Sequence, residues 1–369
     1  MINWMGGWPK EGLISAADWE ERVEAAASIA TTERFGTRES NAEPYGEKLR
    51  SLLAQNLLKA RTGGNGSQVK VTQGADGALA WIADQLLQPG DTVLTEKLTS
   101  RSALHVFRKA GLKTEAVAGD RRGMDPEALT TALFRYRPKM VYIAPACTDP
   151  EGTSWSVELR SACQARCSEA GVLLVTDDRQ EMLLFEPEKG PSARRLDPGV
   201  LSIGQLPPGL IAGLKLGWIA GQTDRWRKSS TSAAEPPSNT LEMLALSRLI
   251  DEQPLEPLIE MLRVQCEERM KRMIDLLSRK GIPDLGWLPP RGGLHLWVTL
   301  PQGLDGESLL KSAWLKGLIF QPGAPYYVKD ARANTIRLTF AFSDERQMKQ
   351  GLARLAESVE EFTGRWSRS

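Results

Sequence analysis

Short apolar runs alternate with stretches of helical periodicity through the middle of the chain. Seven such runs predict strands at 69–72, 92–95, 116–118, 140–144, 172–176, 200–203 and 216–220. Apolar positions at helical spacing predict helices at 77–87, 101–110, 126–135 and 156–170. The run 172–175 lacks polar alternation, which is typical of a strand buried on both faces. The pattern therefore predicts an α/β fold with a mainly parallel, seven-stranded sheet between two layers of helices.

The two ends of the chain follow a different pattern. The N-terminal end predicts an extended arm and an amphipathic helix, followed by a second helix at 49–60 that ends at the glycine-rich segment 62–66. The C-terminal end predicts about 40 helical residues from 240, strands at 294–300 and 335–342, and helices at 308–316 and 345–362. We therefore predict three parts: an N-terminal arm with part of a small domain at 1–45, a large α/β domain at 46–240, and a small α+β domain at 241–369.

Composition and charge restrict the classes of partner. The chain has 369 residues, a formal net charge of +1, and 25% charged residues. This balance gives no electrostatic reason to expect nucleic acid or an acidic membrane surface as a partner. The sequence has no apolar run of about 18 residues and no secretory signal at its N-terminus, so we expect no membrane span and a cytoplasmic location.

The cysteines and histidines do not have the spacing of a metal site. Cys163 and Cys167 lie four residues apart on one face of a predicted helix, and the other two cysteines are Cys147 and Cys266. A zinc site needs two more ligands near such a pair, and the chain has only two histidines, which lie far apart. We therefore expect reduced free thiols and no metal site.

Five segments of the predicted large domain form an ordered set of motifs: Val71-Thr72-Gln73-Gly74-Ala75-Asp76, Gln88-Pro89-Gly90-Asp91, Asp149-Pro150-Glu151-Gly152, Thr176-Asp177-Asp178 and Leu214-Lys215-Leu216-Gly217. In this order they resemble segments of fold-type I, class I/II aminotransferases, which use pyridoxal phosphate. In the C-terminal third, Gly292-Gly293-Leu294-His295-Leu296-Trp297, Pro322-Gly323 and Asn334-Thr335-Ile336-Arg337-Leu338 resemble the aminotransferase-like domain of MocR-type regulators. Those regulators carry an N-terminal helix-turn-helix domain, and we expect this chain to start inside the aminotransferase part, without that domain.

The resemblance implies a cofactor lysine, and this chain lacks it. In the family the lysine lies seven residues before the arginine that corresponds to Lys215, which places it at Pro208. A lysine holds the cofactor as a Schiff base and moves a proton during transamination, and proline has no amine for either role. No lysine occurs between Lys189 and Lys215, so a small shift of the alignment does not supply one.

Other positions that the resemblance assigns to the cofactor also depart from the family. The turn Gly74-Ala75-Asp76 matches the phosphate-binding helix N-terminus, where free N–H groups attract an anion. The stacking aromatic is replaced by Ser100, the asparagine by Asp149, the tyrosine by Gln180, and the phosphate-binding serines by Gln205 and Pro207. An aspartate at 149 places a carboxylate beside an anionic oxygen, which is repulsive.

A few positions retain residues that suit the family's chemistry. The resemblance implies that Asp177 pairs with the pyridine nitrogen, that Lys215 neutralises the phosphate, and that Arg337 binds a substrate carboxylate with two hydrogen bonds. Tyr45 matches an arm residue that reaches the site. Each also has a plain structural interpretation, as a capping carboxylate, a surface lysine, a salt-bridge arginine or a packed tyrosine.

These departures lead to two hypotheses. The first is a catalytically degenerate homologue that binds a carboxylate or amino-acid-like ligand, or a partner subunit in a homodimer or in a heterodimer with an active paralogue. Pyridoxal phosphate is then not covalently bound, or is absent. The second is a pyridoxal-phosphate aminotransferase of amino acids with an atypical site, without a Schiff-base lysine or with another lysine such as Lys48 or Lys97. The sequence identifies neither ligand nor partner.

Overall fold

The structure is a computed structural model that describes residues 1–6, 11–36, 43–186, 196–221 and 240–366. For residues 31–36, 43–45, 240 and 363–366 it describes the backbone only. The strands of the described part are β1 Ile2–Trp4, β2 Val69–Thr72, β3 Thr92–Glu96, β4 Lys113–Val117, β5 Gly119–Asp120, β6 Gly123–Met124, β7 Met140–Ile143, β8 Leu173–Asp177, β9 Val200–Gln205, β10 Gly217–Ala220, β11 Gly286–Trp287, β12 His295–Thr299, β13 Leu318–Pro322 and β14 Thr335–Thr339.

The helices of the described part surround these strands. They are α1 Ala16–Gly36, α2 Glu43–Asn56, α3 Lys59–Thr62, α4 Gly74–Leu86, α5 Arg101–Lys109, α6 Pro126–Tyr136, α7 Val157–Glu169, α8 Thr240–Glu252, α9 Glu256–Lys280, α10 Gly306–Leu315 and α11 Glu345–Trp366. Within the described ranges, no helix has the length and apolar content needed to cross a bilayer.

The larger sheet confirms the predicted α/β fold. Its seven strands lie in the order β2-β10-β9-β8-β7-β3-β4. Strands β4, β3, β7, β8 and β9 pair in parallel, and β10 runs antiparallel to both of its neighbours. Because parallel strands end at the same edge of a sheet, residues just beyond β3, β7, β8 and β9 are brought together. The candidate site lies at this edge, as expected for an open α/β sheet.

Both faces of the larger sheet are buried, which explains its continuous apolar runs. On β8, Leu174 packs in one apolar cluster with the residues of α6 and α7, while Val175 packs in another with those of α4 and α5. Successive residues of a strand point to opposite faces, so both layers need apolar side chains. The helix starts follow local chemistry: the side chains of Ser100, Asp125 and Ser156 accept hydrogen bonds from the first backbone N–H groups of α5, α6 and α7.

The smaller sheet joins the two ends of the chain. Its order is β1-β13-β14-β12-β11, with β1 parallel to β13 and the other pairs antiparallel. Ile2 pairs with Leu318, so the N-terminal arm contributes a strand to the C-terminal sheet. The domain boundaries at 45/46 and 240/241 stay predictions.

Several predicted elements have different bounds in the structure. The predicted helix at 49–60 is two helices, α2 and α3, and α3 ends at Gly63, whose φ of 63° is left-handed. The helical segment after 240 is also two helices, α8 and α9, separated at Pro254, which has no N–H to continue α8. The strand predicted at 116–118 runs from Lys113 to Val117, and β1 and β13 were not predicted.

Candidate functional site

Asp177, the carboxylate predicted to face a pyridine ring, is instead held by an arginine of the same chain. Asp177 ends β8 and is 3% exposed. The Nε of Arg179 donates to both of its carboxylate oxygens at 2.9 Å, and the Nη2 lies 2.7 Å from Oδ2. The hydroxyl of Tyr142 donates to Oδ2 at 2.5 Å. Asp177 is therefore a neutralised, fully hydrogen-bonded carboxylate.

Arg179 extends this network to the predicted phosphate-binding turn. Its Nη1 donates to Asp76 at 2.6 Å and to the hydroxyl of Ser102 at 3.2 Å. Burial opposes the charge on Arg179, but Asp177 and Asp76 outweigh it and raise the pKa of the guanidinium. Sequence reasoning missed Arg179. The signal was a guanidinium two residues after the strand-end aspartate, close enough to fold back onto it.

The turn at the start of α4 is also occupied by a side chain of this protein. Gly74 has a φ of 70°, which favours glycine, and the N–H of Ala75 donates to Oε1 of Gln205 at 3.2 Å. A Cβ on Gly217 would lie 2.4 Å from the carbonyl carbon of Gly74, so β10 packs directly against this turn. The amide oxygen of Gln205 thus accepts a hydrogen bond from one of the N–H groups that were predicted to bind a phosphate.

The predicted carboxylate-binding arginine, Arg337, binds two oxygens of the protein. It lies on β14 and is 7% exposed. Its Nη1 donates to Oδ1 of Asp149 at 2.8 Å, its Nη2 donates to the carbonyl of Met5 at 3.0 Å, and its guanidinium lies 5.2 Å from the ring centre of Tyr326. Its Nε is buried without a hydrogen-bond partner in the described residues. Asp149 follows β7 of the larger sheet, so this ion pair links the two sheets.

Several known proteins are similar to this chain. The family model "Aminotransferase class I and II" matches residues 18–196. A 2-aminoadipate transaminase of Thermus thermophilus is 27% identical, over 97% of this chain and 90% of the relative. The chain is similar to class I and II aminotransferases over nearly its whole length. A helix-turn-helix regulator of Bacillus subtilis is 24% identical, over 96% of this chain and 75% of the regulator. The solved structure of a Pyrococcus horikoshii kynurenine aminotransferase has 26% identity and a TM-score of 0.80, covering 98% of this chain and 91% of that one.

Within this aminotransferase fold, Pro208 lies in the loop between β9 and β10. The residue is buried. The carbonyls of its neighbours Gly209 and Leu210 accept hydrogen bonds from the N–H groups of Leu13 and Ile14, at 2.8 and 2.9 Å. The N-terminal segment therefore packs along this loop and holds Pro208 in place.

The other predicted site residues have local roles in this aminotransferase fold. Ser100 is the N-cap of α5, and its hydroxyl lies 2.9 Å from that of Ser102. Gln180 packs between Gly293 and Cys147, with its Oε1 4.0 Å from the thiol sulfur. Lys215 is exposed on the loop before β10 and contributes to lowering the pKa of Asp76. The side chain of Tyr45 lies outside the described residues.

Neither alternative lysine has a described contact with Asp177. Lys48 of α2 pairs with Asp251 of α8 at 2.5 Å. Lys97 is exposed just beyond β3, and its carbonyl accepts a hydrogen bond from the N–H of Val328 at 3.1 Å. The described side-chain partners of Asp177 are Tyr142 and Arg179, and a guanidinium stays protonated and cannot serve as an amine nucleophile.

The residues of the site do not fit pyridoxal phosphate. The lysine position is a proline, the oxygens of Asp177 are bonded to Arg179, and the N–H of Ala75 is bonded to Gln205. The carboxylate that would face the ring nitrogen and one N–H group of the predicted phosphate-binding turn therefore already have partners within this chain.

A second buried ion network lies beside Asp177, and sequence reasoning missed it as well. Arg61 of α3 donates to Asp178 at 2.8 Å, to Ser202 at 2.8 Å and to Glu181 at 2.6 Å. The hydroxyl of Ser202 also donates to Asp178, at 2.6 Å. Asp178 points away from Asp177 because adjacent residues of an extended chain face opposite sides. This network attaches α3 to the edge of the larger sheet.

His295 and the four cysteines have structural roles in the described part. Nδ1 of His295 lies 3.0 Å from the hydroxyl of Thr339, and burial lowers the pKa of the ring well below its usual value, with a further contribution from Arg337. The four cysteines are buried free thiols, which confirms that expectation. Within the described ranges, no group of three or more potential ligands has the arrangement of a metal site.

Glu96, at the end of β3, predicts a pH dependence of stability. Its carboxylate accepts from the N–H of Ala144 at 3.1 Å and from Nε1 of Trp155 at 3.2 Å, and burial raises its pKa to about 8. The native state therefore binds a proton that the unfolded state releases above about pH 4.5. Stability falls as the pH rises from about 4.5 to about 8.

We expect the variant Glu96→Gln to remove this part of the pH dependence. The free energy of unfolding, measured with urea at pH 5.5 and pH 8.5, should fall by roughly 2–4 kcal/mol more in the wild type than in Glu96→Gln. The amide costs a similar amount at both pH values because it satisfies one of the two donors less well. Parallel curves for the two proteins would contradict the buried, cation-free environment of Glu96.

Proposed function

We propose that this chain is a non-catalytic aminotransferase homologue that acts by binding, and that its site is closed by its own side chains. The observation that carries the proposal is the ion pair of Arg179 with Asp177, in which Nε donates to both carboxylate oxygens. Asp177 is the family's partner for a positively charged ring nitrogen. A guanidinium that is planar, always charged and already bonded supplies that charge from within the chain.

The other contacts of the site support the same interpretation. An amino-acid substrate presents a carboxylate to Arg337, and here Asp149 and the carbonyl of Met5 supply two oxygens. A phosphate binds N–H groups at the start of α4, and here Gln205 takes the N–H of Ala75. An external ligand would have to displace Asp149 from Arg337 or Gln205 from Ala75. The displaced polar group would then be left without a hydrogen-bond partner, which costs free energy. Pro208 removes the amine that the chemistry requires.

The partner in this proposal is a second subunit. Fold-type I aminotransferases build their sites across dimer interfaces, so a subunit without its own chemistry can still complete the site of an active paralogue. A homodimer is the alternative. The free thiols support a reducing compartment, and we propose the cytoplasm. Size-exclusion chromatography with light scattering of the purified chain distinguishes the assemblies, since a stable homodimer would argue against a required paralogue.

We expect no covalent adduct between this protein and pyridoxal phosphate. The purified chain is mixed with the cofactor, its absorbance is recorded between roughly 330 and 430 nm, and the sample is reduced with borohydride and mapped by peptide mass, since a lysine imine is the species the chemistry requires. The expected result is no new absorbance band and no modified lysine at stoichiometric yield. The 2-aminoadipate transaminase of Thermus thermophilus serves as the positive control.

An adduct at a single lysine would overturn the proposal. That lysine would then be tested by a lysine-to-arginine variant, which keeps the charge and removes the imine. The exposed Lys97, Lys215 and Lys48 are the first positions to examine. Scattered labelling of several surface lysines at low yield would agree with the proposal, because pyridoxal phosphate is a reactive aldehyde.

A further inference from the structure

We use the name filled site for the site around Asp177, Arg179, Gln205 and Arg337, whose groups bind other groups of this chain. A separate cavity of about 260 Å³ lies to one side of the filled site. Its walls come from the end of β3, the β5–β6 hairpin, the loop after β7, and strands β12 and β14. Asp177, Arg179 and Gln205 do not line it. Ligand pockets for drug-sized molecules start at about 300 Å³, so this cavity, hereafter the side cavity, suits a smaller molecule.

Glu96 lines the side cavity and has no charged partner among its described contacts. Its two oxygens each accept one hydrogen bond from an uncharged group, the N–H of Ala144 and the indole of Trp155. A buried carboxyl group without a cation is costly in its charged form. A ligand ammonium in the cavity would supply the missing positive charge.

Three carboxyl groups line the side cavity: Glu96, Glu151 and Asp120, which pairs with Arg122. Glu151 is only partly neutralised. Its side chain is 19% exposed and lies 3.5 Å from Nε of Arg121. Burial raises the pKa of Glu151 although Arg121 and Arg332 act in the opposite direction. Glu151 and Glu96 also repel each other, since Glu151 raises the pKa of Glu96. One cation between them would relieve both effects.

The other walls match the remaining parts of an amino acid. Arg121, whose side chain is 56% exposed, and the exposed Arg332 provide guanidinium groups that can bind a carboxylate. Trp297 and Tyr327 form an aromatic wall with ring centres 6.5 Å apart. A small molecule with an ammonium, a carboxylate and an apolar side chain thus finds a partner for each group.

We propose that the side cavity binds a free amino acid with an apolar side chain, with its ammonium at Glu96 and Glu151, its carboxylate at Arg121 and Arg332, and its side chain on Trp297. This inference does not depend on the proposed function, because none of these residues belongs to the filled site. Binding of this ligand requires neither the cofactor lysine nor a chemical reaction.

Isothermal titration calorimetry of the full chain with L-leucine and L-phenylalanine tests this site. The charge requirement is tested with two leucine analogues, isoamylamine, which lacks the carboxylate, and isocaproate, which lacks the ammonium. We expect the amino acid to bind and each analogue to bind at least about tenfold more weakly, the effect of losing about 1.4 kcal/mol. Equal binding of amino acid and amine, or no binding of either amino acid, would overturn the proposal.

Variants then locate the binding. Glu151→Gln and Arg121→Gln change partly exposed residues and should each weaken leucine binding at least about fivefold. The matched control is Arg166→Gln, at a surface ion pair whose residues do not line the cavity, and it should leave binding unchanged. The variant Arg337→Met distinguishes the side cavity from the filled site. Unchanged leucine binding in Arg337→Met supports the side cavity. Loss of leucine binding in Arg337→Met, together with retained binding in Glu151→Gln, would assign leucine to Arg337 and overturn the proposal.

Discussion

The variant Arg179→Ala is expected to lose about 3 kcal/mol of unfolding free energy, because it leaves the buried carboxylate of Asp177 without its cation. Asp177 is 3% exposed and would keep the hydroxyl of Tyr142 and the backbone N–H of residue 179 as donors. Neither donor carries a charge. The loss is measured by urea unfolding, since guanidinium salts would themselves enter the site.

Chemical rescue makes this prediction specific to the missing charge. Methylguanidinium at millimolar concentration should raise the melting temperature of Arg179→Ala and leave the wild type unchanged. The stability of Arg179→Lys should fall between those of the wild type and Arg179→Ala, because an ammonium keeps the charge but loses the planar guanidinium contact. The matched control Arg166→Ala removes a surface partner of Glu127 and should cost less than about 1 kcal/mol.

Two outcomes would contradict the hypothesis that Arg179 supplies the positive charge that Asp177 needs. One is an Arg179→Ala protein as stable as the wild type. The other is a destabilised protein that methylguanidinium does not rescue, which would assign the loss to packing of the side chain. A gain of pyridoxal-phosphate binding in Arg179→Ala would add direct support, since Asp177 would then be open to a ring nitrogen.

The variant Asp149→Ala is expected to be the second most destabilising, by about 2–3 kcal/mol, because Arg337 loses its described ion-pair partner. Arg337 is 7% exposed, so water replaces the carboxylate poorly. Its remaining partners are the carbonyl of Met5 and the ring of Tyr326. Urea unfolding measures the loss, and the same pair links the two sheets, so limited proteolysis should also accelerate.

Small carboxylates test whether Asp149 stands in for a ligand. Formate and acetate should raise the melting temperature of Asp149→Ala and not that of the wild type, with chloride at equal ionic strength as the reference. The matched control Asp120→Ala removes an exposed partner of Arg122 and should leave the stability nearly unchanged. A melting temperature that rises equally with chloride and acetate would contradict a bound carboxylate.

The larger sheet followed from the sequence because its signals are local. A strand buried on both faces must be apolar at consecutive positions, and Leu174 and Val175 meet this condition on opposite faces. Caps such as Asp125 before Pro126 likewise mark a helix start within a few residues. Strands β1 and β13 lacked such signals. Each is short, and Ile2 pairs with Leu318 only when the two ends of the chain meet.

The site could be predicted only in part, because local sequence signals give the position of a residue and not its hydrogen-bond partners. The motifs along the sequence assign the site positions of four residues, namely Asp149, Asp177, Pro208 and Arg337. They do not assign what each side chain binds. Asp149 and Arg337 are 188 residues apart, and Gln205 and Ala75 are 130 apart, so no local pattern reports their hydrogen bonds.

The sequence by itself determined that this protein has an aminotransferase fold and that its lysine position carries a proline. Both are properties of residue type at a given position. Only the tertiary structure decided that Asp177 is held by Arg179 and that Arg337 is held by Asp149 and Met5. A hydrogen bond depends on distance and direction, and those are set when parallel strands bring their carboxyl ends together at one edge of the sheet.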